Sequence, residues 1–329
     1  MRRGRRNVTI AGLALALAGL APAAAEGDGL PVGGIDAGGS GVTTPGSAAR
    51  YVTLPAGRAT VVARVRRDGG QVLRSRVVPG AFTIPAVALD ASASGLSADG
   101  RTLVLIRPRP RFPRARTTLA VLDAPRLRLR DVVRLRGDFS FDAISPDGAT
   151  MYLVQYRSRR DPTRYAVRAY DLRTGRLAPG AIVDPREPDE RMRGFPITRS
   201  TSPDGRWAYT LYDGAGAHPF VHALDTARGE AACIDLDALS GRDDLVSLRL
   251  ALPAGGRELI VTDGAEPLAV VDRATFAVGA PRAAPPARPP HAAAQAPGDR
   301  AAPWAIAVVL LLAAGAAYGV RRRRTAQPA

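Results

Sequence analysis

Apolar and polar positions in the middle of the chain recur in one order, which predicts β-strands joined by tight turns. Each copy has a short stretch of apolar or small residues, a turn of the Ser-Pro-Asp-Gly type, and then a run rich in apolar and β-branched residues. The copies span residues 95–106, 143–154, 200–211 and 251–264, with a weaker fifth copy at 52–65. We expect every turn to join two antiparallel strands of one sheet.

The turn residues have a physical reason and a regular spacing. Pro fixes φ, Asp bonds nearby backbone, and Gly accepts a positive φ without a Cβ clash. The closing glycines are Gly57, Gly100, Gly148, Gly205 and Gly256, at spacings of 43, 48, 57 and 51 residues. A period of about 40–50 residues is typical of the four-stranded blades of a propeller.

A second segment recurs after each hairpin. It is an apolar strand that ends in an aspartate shortly before another turn, and the four aspartates are Asp123, Asp171, Asp225 and Asp272. The hairpin, this strand and the strand after the turn together make a four-stranded antiparallel unit. We therefore predict an all-β chain built from about five such units.

This combination resembles the YVTN/WD40-like family of bacterial β-propeller repeat proteins. The resemblance rests on the SPDG turns, on the Asp-x-x-Thr-Gly segment at 171–175, and on the run LIVTDG at 259–264. It covers about residues 51–278 and implies a β-propeller of about five blades, or six if a degenerate blade completes the ring. A β-sandwich is the rival all-β fold, but its turns do not repeat as one sequence. The resemblance implies no activity, since propellers host many functions.

The N-terminus has the pattern of an export signal. Four arginines in the first six residues precede an apolar run at 8–20 and a small-residue cleavage site that ends at Ala25. Residues 1–25 are therefore expected to be a signal peptide. Residues 26–50 form a Gly-rich segment or a strand that closes the ring, and residues 51–280 form the propeller.

The C-terminus has the pattern of a membrane anchor. Residues 281–303 are rich in Pro and Ala and indicate an extended stalk. Residues 304–320 carry no charge, are close to the length of a transmembrane helix, and precede Arg321–Arg324. We expect a single-pass type I protein of the cell membrane, with most of the chain outside the cell and residues 321–329 as a basic cytoplasmic tail.

Charge and cysteine content restrict the partners and the kinds of site that we expect. The chain has 46 Lys and Arg, all of them Arg, against 30 Asp and Glu, for a net charge of +16. Half of this excess lies in the two terminal arginine clusters, so we expect no nucleic-acid partner. A single cysteine excludes an intrachain disulfide and a cysteine-based zinc site. No cofactor, no metal site and no catalytic residue is predicted.

The candidate ligand-binding residues are arginines of two loops, each of which joins the second and third strands of its unit. We call these eight residues the basic rim. They are Arg107, Arg109, Arg111, Arg114, Arg116, Arg157, Arg159 and Arg160. Guanidinium groups bind phosphate and carboxylate well, so the rim predicts an anionic envelope polymer or a protein partner. The alternative is that both loops are merely solvated.

Two further features remain open. The longest spacing contains an acidic insertion with Asp184, Glu187, Asp189 and Glu190, which is either a lid, a cation site or a plain surface loop. His218 and His222 are four residues apart on a predicted strand, hence about 13 Å apart, which is too far for one metal ion.

The sequence as a whole leaves three functions open: a non-catalytic binding or scaffold propeller, a lactonase- or hydrolase-like propeller enzyme with its site at the central channel, or a purely structural envelope component.

Overall fold

Five antiparallel sheets hold the strands of residues 40–189 and 191–281, which are the residues that the computed structural model describes. Strands that follow one another in sequence lie side by side within each sheet. Sheet 1 has β1 (Ala49–Ala56), β2 (Ala59–Arg66) and β3 (Val72–Pro79). Sheet 2 has β4 (Thr102–Ile106), β5 (Arg116–Asp123) and β6 (Arg128–Arg136). Sheet 3 has β7 (Phe139–Ile144), β8 (Thr150–Tyr156), β9 (Tyr165–Asp171) and β10 (Arg176–Leu177). Sheet 4 has β11 (Pro196–Thr201), β12 (Trp207–Tyr212), β13 (Phe220–Asp225) and β14 (Glu230–Asp235). Sheet 5 has β15 (Leu248–Ala251), β16 (Glu258–Asp263), β17 (Glu266–Asp272) and β18 (Val278–Gly279). Short 3-10 helices lie at Gly214–Gly216, Asp237–Leu239 and Leu245–Ser247.

The predicted hairpin turns connect the first two strands of sheets 1, 3, 4 and 5, whereas the turn of sheet 2 joins the Leu96–Leu103 bridge to β4. Three of the turns share the same hydrogen bonds. In sheet 3 the Asp147 carboxylate accepts the Ser145 hydroxyl at 2.6 Å and the Ala149 N–H at 3.0 Å. The same bonds are made by Asp99 with Ser97 in sheet 2 and by Asp204 with Ser202 in sheet 4. Each aspartate accepts hydrogen bonds from groups that the turn itself leaves unpaired. The motif therefore stabilises the turn through contacts between neighbouring residues alone.

The last hairpin differs from the others by one position. Gly255 has the positive φ of +67°, and the Gly256 N–H donates to the Pro253 carbonyl at 2.9 Å. The prediction that Gly256 closes this corner is therefore off by one residue, because the extra residue of the copy moves the left-handed position back along the chain.

The predicted aspartate-ended strands are confirmed. Strands β5, β9, β13 and β17 end at Asp123, Asp171, Asp225 and Asp272. In each of them the carboxylate accepts backbone N–H groups of the following turn; Asp171, for example, accepts those of Arg173 at 2.7 Å and Thr174 at 3.1 Å.

Neighbouring sheets pack face to face in chain order. One apolar cluster joins sheets 1 and 2 through Val62 and Leu103, the next joins sheets 2 and 3 through Leu119 and Phe141, and a third joins sheets 4 and 5. Within the described residues, no hydrogen bond or ion pair joins sheet 5 back to sheet 1. The all-β class and the blade-like sheets agree with the prediction.

The connection from sheet 1 to sheet 2 reaches across to sheets 4 and 5. The Leu89 N–H donates to the Pro196 carbonyl at 2.9 Å and the Asp90 N–H to Ile197 at 3.2 Å. The Asp90 carboxylate also lies 3.9 Å from the Arg249 guanidinium of sheet 5. This segment therefore occupies the inner edge of β11, where an open channel would otherwise expose backbone groups.

Several predictions lie outside the described residues. They are the signal peptide, most of the Gly-rich segment, the stalk, the membrane span at 304–320, the basic tail, and Glu190 of the acidic insertion. In the ranges that are described, no helix has the length and apolar character that crossing a bilayer requires.

Replacing Gly148 with Ala is expected to destabilise the protein more than replacing Gly100. Both glycines have φ of +68°, so the backbone strain of an alanine is the same. A Cβ on Gly148 would lie 2.7 Å from the Thr102 Cβ of sheet 2, whereas one on Gly100 would meet no atom within 4 Å. We expect the G148A free energy of unfolding to be lower than that of G100A by about 1–3 kcal/mol, measured by urea denaturation. Equal values would show that these hairpins are not in tight contact.

Candidate functional site

The structure divides the basic rim into buried and exposed arginines. Arg109 is fully buried, with Nε 3.0 Å and Nη2 2.8 Å from Asp138 Oδ1. Nη2 also donates to the Ser140 hydroxyl at 2.8 Å, and the guanidinium lies 5.0 Å from the Tyr156 ring centroid. Arg109 therefore does not lie on an exposed rim, because its charge is neutralised inside the loop.

Arg114 is the second rim residue that the structure places in the interior. Its side chain is 8% exposed, and its Nε lies 3.3 Å from Asp138 Oδ1 and 3.0 Å from the Thr117 hydroxyl. Its guanidinium also donates to the backbone carbonyls of Arg107 and Phe139. Arg114 thus holds the loop against β5 and β7, and this placement, too, differs from the predicted rim.

The other six rim arginines are exposed, and the structure brings their two loops together. These six are Arg107, Arg111, Arg116, Arg157, Arg159 and Arg160. Phe112 of the first loop packs edge-on against Tyr156, the last residue before the second loop, with ring centroids 5.4 Å apart. Ligand binding by these six residues stays a prediction.

A row of aromatic rings continues from this contact into sheet 4. Successive ring centroids are 6.3 Å apart for Tyr156 and Tyr165, 6.0 Å for Tyr165 and Tyr212, and 5.2 Å for Tyr212 and Phe220. Burial raises the pKa of Tyr165 well above its usual value, so its hydroxyl stays protonated and donates to the Gly194 carbonyl at 3.1 Å. These packed rings lie beneath the loops of sheets 3 and 4.

A cleft of about 480 Å³ opens between sheets 3 and 4 at this end of the molecule. Its walls are the start of β9, residues 181–184, and the strands β13 and β14; the acidic insertion passes along it with Glu187, Asp189, Arg191, Met192 and Arg193. Such a volume is within the range of small-ligand sites. The acidic insertion is thus part of a cleft wall.

Asp184 and Arg186 fasten the insertion to the outer strand of sheet 4. The Asp184 carboxylate accepts the Cys233 N–H at 2.9 Å, and Arg186 donates to the Cys233 carbonyl at 3.0 Å. Burial alone would raise the pKa of Asp184, but hydrogen bonds from Arg186 and from two backbone N–H groups lower it to about 2. The carboxylate is therefore ionised at neutral pH. Together with Arg186 it bonds the free backbone N–H and carbonyl groups of the edge strand β14, as a neighbouring strand would.

Two more contacts hold the far end of the insertion. Tyr165 binds Gly194, as above, and the Asp213 carboxylate accepts the Phe195 N–H at 2.8 Å. Asp213 also accepts the Ala215 N–H at 3.0 Å. With both ends fixed, residues 187–189 and 191–193 line the cleft.

His222 and Cys233 line the cleft from sheet 4. They are directly opposite on β13 and β14, and both backbone groups of Cys233 bind the insertion, so the pair is of the non-hydrogen-bonded type, in which side chains lie close. His222 is 1% exposed, and its Nε2 is buried without a hydrogen-bond partner. Burial lowers the pKa of His222 to about 4, so the ring is neutral at physiological pH.

The mouth of the cleft is rich in arginine. Arg157 and Arg164 line it from the loop of sheet 3, and Arg191 and Arg193 line it from the insertion. All four are exposed, and none has an ion pair within the described ranges. Arg157 is the one basic-rim residue that lines this cleft; the sequence missed the others, since Arg164, Arg191, Arg193 and His222 come from three separate segments.

Elsewhere the inner strands offer ion pairs and no cluster of acids. The buried Asp142 carboxylate pairs with Arg199, whose Nε donates to the Thr210 hydroxyl at 2.6 Å, and Arg249 binds three backbone carbonyls. His218 lies 3.0 Å from Asp235, apart from His222. Over residues 40–189 and 191–281, no group of three His, Cys, Asp or Glu side chains is arranged to hold a metal ion.

Comparison with known proteins gives only distant structural similarities. No family model and no curated protein matches the sequence. Hydrazine synthase of Kuenenia stuttgartiensis is similar at a TM-score of 0.41 and 19% identity, over 70% of this chain and 63% of that one. TolB of Acinetobacter baumannii is similar at 0.34 and 17%, over 70% and 56%, and the Dos1 propeller at 0.39 and 10%, over 69% and 56%. This chain thus spans less than two thirds of each, and at these TM-scores neither its fold nor its function rests on them.

Proposed function

We propose that this protein is a non-catalytic binding module that takes an anionic unit of an envelope polymer into the cleft between sheets 3 and 4. One observation carries the proposal: Arg157, Arg164, Arg191 and Arg193 line the mouth of a 480 Å³ cleft with no ion pair in the described chain. Guanidinium groups that lack an internal partner are available to carboxylate, sulfate or phosphate.

The interior of the cleft agrees with a bound sugar or a similar polar unit. Tyr165, Val167, Ile182 and Met192 give it apolar walls, and the neutral His222 adds a ring that carries no competing charge. Glu187 and Asp189 also line the cleft, so the anionic group is expected beside the loop of sheet 3, where Arg157, Arg159, Arg160 and Arg164 are concentrated.

The proposed location follows from the ends of the sequence. The N-terminal signal pattern and the uncharged run at 304–320 followed by four arginines support an exported chain that stays tethered to the cell membrane. A tethered module with a basic cleft would meet the acidic polymers of the envelope at high local concentration.

The test is a binding comparison between dextran sulfate and neutral dextran of the same length. We expect the full-length protein to bind dextran sulfate, with affinity that falls as salt rises, and the double variant R157S/R164S to bind at least tenfold more weakly. Fluorescence anisotropy of labelled polymer measures both effects.

The matched control is R111S/R116S, which removes the same charge from exposed positions of the neighbouring loop. An affinity close to that of the unmodified protein supports a site at the cleft. An equal loss in both double variants would mean that general surface charge binds the polymer, and equal binding of neutral dextran would refute anion recognition.

A further inference from the structure

Sheet 1, like sheet 2, has three strands, one fewer than each of sheets 3, 4 and 5. Its third strand, β3, has no neighbour on its outer side, whereas the third strands of sheets 3, 4 and 5 each pair with a fourth. Seven of the eight residues of β3 are exposed. Strand β3 therefore leaves a backbone edge open on the outer side of sheet 1.

The register shows which backbone groups this edge presents. The Gly80 N–H donates to the Arg58 carbonyl, and the pairs Thr60–Val78 and Val62–Arg76 follow at steps of two residues. The even-numbered residues of this stretch therefore bond to β2, so Ser75 and Val77 direct their N–H and C=O groups away from the sheet.

The other long outer edges are occupied or guarded. At the edge of sheet 4, the backbone N–H and carbonyl of Cys233 already bond to Asp184 and Arg186. Strand β6 of sheet 2 carries four arginines in nine residues, and β18 of sheet 5 is two residues long. Charge and shortness both discourage strand addition, so β3 is the edge in the described chain that is best suited to it.

One face of sheet 1 carries an apolar row that reaches this edge. Leu54, Val61 and Val77 are directly opposite one another on β1, β2 and β3. Leu54 is 52% exposed and Val77 is 61% exposed. A strand added beside β3 would extend this row and cover Val77.

The other face is basic at the same edge. Arg64 and Arg74 are opposite one another, and Arg76 follows two residues after Arg74. Arg74 and Arg76 are exposed, and the side chain of neither has a hydrogen bond or ion pair to any described residue. Like charges so close together disfavour pairing of β3 with a second copy of itself.

We propose that β3 is a docking edge for an extended acidic segment of another protein, which adds to sheet 1 as its fourth strand. Main-chain hydrogen bonds to Ser75 and Val77 supply the affinity. Alternating side chains supply the specificity, with apolar residues on the Val77 face and carboxylates beside Arg74 and Arg76. The site is separate from the cleft and does not depend on the function proposed for it.

The test uses three synthetic octapeptides with the full-length protein: alternating Val-Asp, alternating Val-Lys, and the Val-Asp peptide with N-methylated backbone amides. We expect the Val-Asp peptide to bind at least tenfold tighter than either of the others, by isothermal titration calorimetry. Hydrogen–deuterium exchange is expected to slow at residues 75–77. Binding of the N-methylated peptide with equal affinity would exclude strand addition.

The charge-reversed variant R74E/R76E is the decisive control. It keeps the backbone edge, so the preference is expected to invert in favour of the Val-Lys peptide. The cleft variant R157S/R164S is expected to bind the Val-Asp peptide as the unmodified protein does. An unchanged preference in R74E/R76E, or loss in R157S/R164S, would place the peptide elsewhere and overturn the proposal.

Discussion

Replacing Asp138 with alanine is expected to lower the free energy of unfolding by about 3–5 kcal/mol, the usual loss when one partner of a buried ion pair is removed. Asp138 accepts two hydrogen bonds from the fully buried Arg109 and one from the Arg114 N–H at 2.9 Å. Without the carboxylate, the Arg109 guanidinium remains at the centre of the loop with a charge that nothing compensates. Urea denaturation followed by circular dichroism measures the difference.

Two variants show whether the unpaired charge causes the loss. R111S changes an exposed arginine of the same loop and is expected to alter stability by less than about 0.5 kcal/mol. The double variant R109M/D138L removes the Arg109 charge together with the carboxylate, so that only Arg114 loses an ionic partner, and it is expected to be more stable than D138A, since apolar residues of similar volume replace buried ion pairs well. A D138A protein as stable as R111S would contradict the buried position of Arg109.

The parts of the fold that could be predicted are those that neighbouring residues specify. Each Ser-x-Asp-Gly corner makes its own hydrogen bonds, as Ser145 and Asp147 do. Each strand that ends at Asp171 or Asp272 is stopped by a carboxylate that accepts the N–H groups two and three residues further on. These hydrogen bonds recur wherever the sequence motif recurs, which is why the turns could be predicted. The number of strands in sheets 1 and 2 does not follow from it, because both contain a copy of the motif and yet have three strands where sheets 3, 4 and 5 have four.

The candidate site depended on distant contacts and was predicted only in part. Arg109 and Arg111 both adjoin Pro110 in one loop, yet Arg109 is buried against Asp138 and Arg111 is exposed to solvent. That distinction needs a partner 29 residues away. Besides Arg157 and the acidic insertion, a further signal for the cleft was His222, a polar residue inside the apolar run of β13, which marks either a paired group or a binding surface.

Lowering the pH from 7 to 5 is expected to destabilise the protein by about 2 kcal/mol through His222 alone. Burial is the main cause that lowers the pKa of His222 to about 4; Asp142 opposes this, Arg199 adds to it, and Asp184 opposes it. The unfolded chain takes up a proton near its ordinary pKa of 6.5, which the folded chain does not do above about 4. Stability is therefore complete above about pH 6.5 and falls as the pH decreases towards 4.

Urea denaturation at pH 7, 6 and 5 of three proteins measures this effect. H222Q has no group that titrates in this range at the position, so its stability is expected to change by about 2 kcal/mol less than that of the unmodified protein between pH 7 and pH 5. H218Q is the matched control, because it removes a half-exposed loop histidine that lies apart from His222. An H222Q protein that loses stability on acidification as steeply as H218Q would mean that His222 is protonated in the fold, and that the cleft presents a cation where we infer a neutral ring.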